Sequence, residues 1–134
     1  MISIYGGTGF IGSNYVTSQN IEKSWIIPRE KRYPISENIL YFISTTHNYH
    51  IFDDPFKDID TNLNVLIETL EACKEYSLKN NKKITFNFIS SWFVYGETSL
   101  PAKEENECRP KGFYSITKKC AEDLIISYCK TFKM

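Results

Sequence analysis

The chain has 134 residues, of which 42% are hydrophobic and 15% aromatic, so it can form one domain with a buried core. Its 16 basic and 16 acidic residues cancel, which argues against nucleic acid and anionic membranes as partners. No apolar segment approaches the roughly 20 residues that span a bilayer, and the start of the chain has no secretory leader pattern. We therefore expect a single domain over residues 1–134 that acts in the cytoplasm.

The four cysteines lack the spacing that is typical of metal or redox sites. Cys73, Cys108, Cys120 and Cys129 include no C-x-x-C pair, and three of them lie in helical patterns. We expect reduced and partly buried thiols, as is usual in a reducing compartment.

A glycine-rich turn follows the first apolar segment, residues 2–5. Gly7, Gly9 and Gly12 have the spacing G-x-G-x-x-G, which permits a tight turn, close approach of a phosphate and packing of a helix on a strand. The predicted helix over residues 10–19 would direct its unpaired N–H groups and the positive end of its dipole at that turn. The sequence therefore predicts a pyrophosphate-binding turn. We expect the following residues to contact a dinucleotide cofactor: Gly6, Gly7, Thr8, Gly9, Phe10, Ile11 and Gly12.

A second predicted strand, at Ile26 and Ile27, ends at Pro28, which has no N–H for a β-ladder. In dinucleotide-binding folds the end of this strand meets the adenosine ribose, where an acidic residue holds the 2′-hydroxyl and a basic residue accommodates a 2′-phosphate. Arg29 and Arg32 lie in the charged segment that follows, so the sequence favours NADP(H) over NAD as the cofactor. A solvated charged loop without a ligand is the alternative interpretation.

The third predicted strand is the continuous apolar segment 39–43, which is typical of a strand buried on both faces of a parallel sheet. The loop over residues 45–60 contains His47 and His50, followed by two aspartates. No helix fixes the geometry of these side chains, so we expect a polar loop over the site and no bound metal.

The second half of the chain predicts two long helices and a fourth strand. One helix begins near residue 60 or 61 and the other near Tyr114, while the alternating segment 84–90 is strand-like. Each helix has an apolar face, formed by Leu63, Leu66, Ile67, Leu70 and Cys73 in the first and by Ile116, Cys120, Leu124, Tyr128 and Phe132 in the second. Strands that alternate with helices predict a Rossmann-like α/β fold, a doubly wound parallel sheet of about four strands with ligands at the strands' carboxyl ends.

Three residues near the carboxyl ends of the predicted strands, where we expect the ligand, are suited to proton transfer. Tyr114 and Lys118 lie four residues apart on one face of the last helix, and Ser91 follows the end of the neighbouring strand. A nearby ammonium group favours the phenolate form of a tyrosine, whose ordinary pKa is about 10, and a serine hydroxyl can donate a hydrogen bond to a substrate oxygen. The set suits carbonyl–alcohol interconversion with a nicotinamide cofactor, although Tyr114 and Lys118 taken alone are also compatible with an ordinary helix surface.

Several motifs together resemble the extended short-chain dehydrogenase/reductases that act on nucleotide-sugars, the epimerase/dehydratase family. The resemblance covers nearly the whole chain and rests on segments 6–12, 70–73, 90–96 and 114–122, and on Asn62. It implies that Ser91, Tyr114 and Lys118 are catalytic and that the substrate is a nucleotide-sugar. It also implies a homodimer through helices 61–78 and 114–132, for which a purely intramolecular core is the alternative. The residues that it places near the cofactor are Ser44, Thr45, Thr46, Ser90, Tyr114 and Lys118.

The sequence also departs from that family. Trp92 and Phe93 replace the Asp-Glu pair of members that remove water from the sugar, which favours an epimerase or a 4-keto reductase over a 4,6-dehydratase. Residues 29–38 are too few for the helix, the strand and the adenine-side acidic residue that the family places there. The family also continues beyond residue 134 with a substrate-binding region, so we expect an incomplete domain without turnover and an exposed, association-prone edge at strand 84–90. A non-catalytic dinucleotide-binding module and an inactive fragment are the alternative functions.

Overall fold

The computed structural model describes residues 1–134 as a parallel β-sheet with helices packed against it. The strands are β1 (Ser3–Tyr5), β2 (Ile26–Ile27), β3 (Asn38–Tyr41) and β4 (Thr85–Phe88). The α-helices are α1 (Phe10–Ser18), α2 (Phe56–Ile59), α3 (Val65–Asn80) and α4 (Phe113–Phe132). Short 3-10 turns occur at Lys23–Trp25, Asn48–Phe52 and Trp92–Tyr95, and a π-helical turn, Asp60–Asn64, joins α2 to α3.

The sheet has the strand order β2-β1-β3-β4, and all of its strand pairs are parallel. In β1, Tyr5 lies opposite Ile27 on one side and opposite Tyr41 on the other. The strand order therefore reverses at β1, because β2 and β3 flank it on opposite sides. This arrangement confirms the predicted Rossmann-like fold and places the glycine turn at the switch point, where such folds bind ligands.

The hydrophobic core lies between the sheet and the two long helices. Tyr5 and Tyr41 form its centre, with ring centroids 5.8 Å apart. The buried residues of the core are Tyr5, Ile27, Ile39, Tyr41, Leu66, Leu70, Cys73, Ile84, Ala121, Ile125 and Met134. Burial raises the pKa of Cys73 to about 12 and also raises the pKa of both core tyrosines, so all three groups are neutral at physiological pH.

Helix α4 buries a different face from the one that the sequence pattern predicts. Lys118, Ala121 and Ile125 are buried, whereas Ile116 and Phe132 are exposed. A strict spacing of four residues drifts around a helix that has 3.6 residues per turn, and hydrophobic periodicity does not anticipate a buried lysine. The prediction was wrong for this face of α4.

The boundaries of several elements also differ from the predicted ones. The helical region that contains α3 begins at Phe56, so part of the predicted loop 45–60 is helical. β3 and β4 are shorter than the predicted segments 39–43 and 84–90. The Phe42 N–H still donates to the Tyr5 carbonyl at 2.9 Å, and beyond it the chain turns to Thr45, whose N–H donates to Asn62. The end of α1 agrees with the prediction, since Asn20 takes a left-handed φ of 49° just beyond it.

Strand β4 forms one edge of the sheet, since it pairs with β3 alone. The side chains of Phe86 and Phe88 on this strand are half-buried and pack against the core. The predicted open edge is therefore present. None of the helices combines the length and the hydropathy that crossing a membrane requires.

Candidate cofactor and catalytic site

The glycine turn between β1 and α1 is held by its own backbone. Gly6 has a φ of +75°, which favours glycine, and its carbonyl accepts a hydrogen bond of 3.0 Å from the Gly9 N–H. A Cβ at Gly12 would collide with the Gly6 carbonyl and lie 2.9 Å from the Cα of Gly7, so the turn and the helix approach too closely for any side chain. A Cβ at Gly9 would meet only the Gly6 oxygen, at 3.4 Å, which leaves this side of the turn open to a phosphate group.

Two adjoining clefts open along this turn, at the carboxyl ends of the strands. The first has a volume of about 260 Å³ and extends from the turn to Tyr114 and Lys118 on α4. The second has a volume of about 390 Å³ and extends to the basic segment after β2. Gly6, Gly9 and Ser44 line both clefts. The two spaces meet at the glycine turn, which is the arrangement that a dinucleotide with a central pyrophosphate requires.

Most of the residues that the sequence predicts for the site line these clefts. The first cleft contains Gly6, Gly9, Phe10, Ile11, Gly12, Ser44, Thr45, Thr46, Ser90, Tyr114 and Lys118. The second contains Gly6, Thr8, Gly9, Arg29, Arg32 and Ser44. Gly7 lines neither cleft, because it is buried where a Cβ would press on the side chain of Ile26. Ser91 also lines neither cleft.

Lys118 is a buried ammonium group at the base of the first cleft, with a side chain that is only 1% exposed. Its Nζ donates a hydrogen bond of 2.7 Å to the carbonyl of Ile89 and lies 4.1 Å from the centre of the Phe88 ring. Desolvation lowers the pKa of Lys118 to about 8, and the negative charge of Glu122 partly opposes that shift. Lys118 is therefore held in place by β4 and is mostly protonated at neutral pH.

Tyr114 and the two serines occupy distinct positions around the cleft. Tyr114 is buried in the first turn of α4, and its ring contacts the edge of the Phe93 ring, with centroids 6.4 Å apart. The Ser90 hydroxyl donates to the Glu122 carboxylate. The Ser91 oxygen accepts a hydrogen bond of 3.3 Å from the Phe93 N–H and so caps the turn Trp92–Tyr95. The Ser91 hydroxyl donates no hydrogen bond to another group of the chain.

A buried hydrogen-bond network joins the loop after β3 to the catalytic helix. The Asn62 side chain accepts from the Thr45 N–H at 2.9 Å and donates to the hydroxyl oxygens of Thr45 at 2.8 Å and of Thr117 at 3.0 Å. Thr117 in turn donates to the carbonyl of Tyr114 at 2.8 Å. The buried carboxylate of Asp58 accepts from the Thr45 hydroxyl through one oxygen, and its other oxygen has no partner. This network fixes Thr45 and the first turn of α4 relative to each other.

The sequence alone missed most of this network. Asn62 entered the prediction only as a motif residue, while Asp58 and Thr117 were not singled out. A polar residue inside a helix carries no periodic signal that distinguishes a buried partner from a solvated one. The available signal was the pair of polar residues Asp58 and Asn62, four apart at the start of a helix and therefore on one face.

The three basic residues after β2, Arg29, Lys31 and Arg32, differ in how available their side chains are to bind an anion. Arg32 forms an ion pair of 3.0 Å with Glu68 and also donates to the carbonyls of Arg29 and Lys31. The side chains of Arg29 and Lys31 are exposed, line the second cleft and make no ion pair. Lys31, which the sequence did not single out as a ligand, is therefore better placed for an anion than Arg32.

The two histidines lie against each other in the loop before α2. The rings of His47 and His50 are stacked with centroids 4.0 Å apart, and the Nδ1 of His47 accepts a hydrogen bond from the Tyr49 N–H. The chain contains no group of three or more His, Cys, Asp or Glu side chains arranged to hold a metal ion. The loop also contacts α4, because Asn48 accepts a hydrogen bond of 3.2 Å from the Ser115 N–H.

Comparison with known proteins assigns the family. The family described as GDP-mannose 4,6 dehydratase matches residues 36–134. The chain belongs to this family. The chain is 27% identical over 137 residues to the dTDP-D-glucose 4,6-dehydratase of Dictyostelium discoideum, covering 93% of this chain and 29% of that protein. It is also 29% identical over 97 residues to the GDP-6-deoxy-D-mannose reductase of Pseudomonas aeruginosa, covering 70% of this chain and 31% of that protein.

Solved structures show the same fold as this member of the GDP-mannose 4,6 dehydratase family. RMD from Pseudomonas aeruginosa, complexed with NADPH, matches 97% of the chain with a TM-score of 0.77 and 23% identity, over 48% of its own length. UDP-glucuronic acid 4-epimerase from Bacillus cereus, in complex with NAD, matches 99% with a TM-score of 0.77 and 22% identity, over 53% of its length. The chain thus spans about half of these solved chains and less than a third of the curated relatives named above. The predicted resemblance to extended short-chain dehydrogenase/reductases is confirmed.

Proposed function

We propose that the chain is the cofactor-binding and catalytic part of an NAD(P)-dependent epimerase or 4-keto reductase that acts on a nucleotide-sugar. The observation that carries this proposal is the first cleft, where the glycine turn and the helix face with Tyr114 and Lys118 line one space. The relatives support the same class of reaction, since their names include a dehydratase, a reductase and a 4-epimerase of sugars joined to nucleotides.

The two clefts suit a nicotinamide dinucleotide, and complexes with NADPH and with NAD occur among the solved structures of the same fold. The N–H groups at the start of α1 would hold the pyrophosphate beside Gly9, where no side chain blocks the approach. Ser44, Thr45 and Thr46 border the first cleft and would contact the nicotinamide half. When bound, the cofactor supplies hydride transfer to or from a sugar carbon.

Tyr114 is the proposed carrier of the sugar hydroxyl proton. Lys118 lies one helical turn further along the same face of α4, and both side chains line the first cleft, where a bound sugar hydroxyl could reach them. Because the pKa of Lys118 is about 8, the ammonium form predominates at neutral pH. Ser91 is the proposed hydrogen-bond donor to the substrate oxygen, since its own proton is not used within the chain.

The choice between the reactions follows from residues of this chain. Removal of water from a sugar requires an acid and a base close to the reacting carbons, and Trp92 and Phe93 supply neither. No Asp or Glu lines the first cleft. We therefore propose an epimerase or a 4-keto reductase, although one relative is named a dehydratase.

The proposed cofactor preference is NADP(H). Arg29 and Lys31 line the second cleft without an ion pair and can meet a 2′-phosphate, whereas Glu68 already neutralises much of the Arg32 charge. The cleft residues include no Asp or Glu that would hold a ribose 2′-hydroxyl.

We also propose a homodimer through helices 61–78 and 114–132. Ile67 on α3 and Ile126 on α4 are exposed and make no contribution to the core of a single chain. A second copy would cover such apolar side chains. Because the chain spans about half of the solved relatives, we expect that tight substrate binding and turnover need a further region, while this chain alone binds the sugar weakly.

The test of the proposed chemistry is Tyr114→Phe, which removes the phenolic hydroxyl and keeps the ring. In a version of the protein that carries the substrate-binding region, we expect hydride transfer to fall by at least ~100-fold, while dinucleotide affinity stays within ~2-fold. Tyr76→Phe on α3 is the matched control, and the absorbance of reduced nicotinamide after addition of a nucleotide-sugar is the readout. Undiminished transfer in Tyr114→Phe would remove Tyr114 from its role. Saturable cofactor binding without transfer in any version would instead favour a non-catalytic dinucleotide-binding module.

A further inference from the structure

The turn Trp92–Tyr95 presents two exposed aromatic side chains beside the catalytic helix. Trp92 is 55% exposed and Phe93 is 52% exposed, while the next residue, Val94, is buried. The Phe93 ring meets the Tyr114 ring edge-on, and Tyr114 lines the first cleft. Neither aromatic side chain lines this cleft itself, but Phe93 contacts a residue that does, and Trp92 precedes Phe93 on the same turn.

The backbone of this turn holds the two rings in their exposed positions. The Ser91 oxygen accepts from the Phe93 N–H at 3.3 Å, and the Gly96 N–H donates to the Phe93 carbonyl at 3.2 Å. The Arg109 N–H donates to the Tyr95 carbonyl at 3.2 Å. Gly96 has a φ of +62°, and a Cβ there would collide with the Arg109 carbonyl, so glycine is required at this close approach. The exposure of the rings is a property of a fixed turn.

The exposed rings of Trp92 and Phe93 make few contacts with other side chains of the chain. The Trp92 ring touches only the neighbouring Tyr95 ring among the aromatic side chains, with centroids 5.7 Å apart, and neither Trp92 nor Phe93 belongs to the core cluster. Apolar surface left in water is unfavourable by about 25 cal/mol per Å², so covering these two adjacent rings with a ligand would be favourable.

We propose that Trp92 and Phe93 form an aromatic platform on which the pyranose ring of the nucleotide-sugar stacks. This inference rests on the proposed function. A pyranose presents C–H bonds on its faces, and these interact favourably with the negative face of an aromatic ring. No carboxylate lines the first cleft, whose polar side chains are mainly neutral hydroxyls, so stacking on the two rings would add to the affinity that hydrogen bonds provide. The platform orients the sugar so that one of its oxygens reaches Tyr114.

The experiment uses Trp92 as its own reporter. The chain has two tryptophans, and Trp25→Phe leaves Trp92 as the only one. This variant is saturated with NAD or NADP in the oxidised form and titrated with UDP-glucose, with UDP as the matched probe that lacks the sugar. GDP-mannose and GDP form a second pair. We expect the nucleotide-sugar to quench or blue-shift the Trp92 emission in a saturable way, and the nucleotide alone to leave it unchanged.

Substitution of the platform gives the second readout. By calorimetry in the otherwise unaltered chain, Trp92→Ala should weaken nucleotide-sugar binding by roughly 3- to 10-fold, whereas Trp92→Phe, which keeps an aromatic face, should stay within ~2-fold. Binding of the free nucleotide should not change in either variant. Phe93→Leu, which keeps the apolar volume against Tyr114 but removes the aromatic face, should also weaken sugar binding.

Three results would overturn the inference while leaving the proposed function intact. They are equal responses of Trp92 to UDP and UDP-glucose, no Trp92 response to millimolar probes although the cofactor binds, and equal sugar affinity in Trp92→Ala and the unaltered chain. If sedimentation shows that Trp92→Ala dissociates a dimer without any sugar response, the occupant is a second copy and the inference is wrong. If neither NAD nor NADP binds at all, the proposed function itself fails.

Discussion

Replacement of the buried lysine by methionine is expected to stabilise the folded chain at neutral pH. The pKa of Lys118 falls from 10.5 to about 8 because the ammonium group is desolvated. This shift of about 2.5 units corresponds to roughly 3 kcal/mol of unfavourable free energy for holding the charge in the folded state. Methionine has a similar length and no charge, but it loses the hydrogen bond to the Ile89 carbonyl and the contact with the Phe88 ring, together worth about 1–2 kcal/mol. We therefore expect Lys118→Met to raise the free energy of unfolding by about 1–2 kcal/mol at pH 7.

The lowered pKa of Lys118 also determines how the stability difference between Lys118→Met and the unaltered chain depends on pH. Between about pH 8 and pH 10.5 the unfolded chain binds more protons at Lys118 than the folded chain does, so the stability of the unaltered protein rises with pH in that window. Lys118→Met has no such rise, and its advantage should shrink to zero or reverse near pH 10. The raised pKa values of Cys73, Tyr5 and Tyr41 lower stability at high pH in both proteins and cancel in the comparison.

The assay is urea unfolding at several pH values from 7 to 10, followed by tryptophan fluorescence. Lys119→Met is the matched control, since the neighbouring Lys119 is only half-buried and pairs with the exposed Asp123 at 2.5 Å. Loss of this surface ion pair should lower the free energy of unfolding by less than about 1 kcal/mol. If Lys118→Met is less stable than the unaltered chain at pH 7, or if the difference between them does not change with pH, the buried ammonium is not the unfavourable feature described here.

Three further predictions concern the architecture of the site. Gly12→Ala should abolish cofactor binding or unfold the chain, because its Cβ collides with the Gly6 carbonyl, whereas Gly9→Ala meets only an ordinary contact and should fold; thermal melting separates the two. Asn62→Leu leaves buried polar groups unpaired and should lower the free energy of unfolding by about 2–4 kcal/mol in a urea titration, and an unchanged midpoint would refute the network. Arg29→Glu should weaken NADPH binding by about 10-fold or more and leave NADH binding nearly unchanged in a fluorescence titration; a preference of the unaltered chain for NADH would contradict the role of this residue.

The fold was predictable because its signals are local. The apolar strands, the glycine spacing and the helix that begins at Phe10 each follow from a few neighbouring residues, and their alternation sets the topology. The grouping of Tyr114 and Lys118 with the glycine turn was also predictable, because both elements follow the carboxyl ends of parallel strands.

The remaining features depend on tertiary contacts. The burial of Lys118 and the rotated apolar face of α4 depend on how that helix meets β4, which no periodic pattern encodes. Thr45, Asn62 and Thr117 come together over separations of 17 and 55 residues, so their hydrogen bonds cannot be inferred from spacing. The pairing of Arg32 with Glu68 is of the same kind, and it moves the expected phosphate contact to Arg29 and Lys31.

The central claim is that a nicotinamide dinucleotide binds along the two clefts that meet at the glycine turn. It is tested most directly by titrating the unaltered chain with NADPH and NADH and following the fluorescence of the reduced nicotinamide. We expect saturable binding of NADPH, weaker binding of NADH, retained binding in Tyr114→Phe and loss of binding in Gly12→Ala. Absence of saturable binding of either dinucleotide to the folded chain would contradict it and would indicate an inactive fragment with an inherited fold.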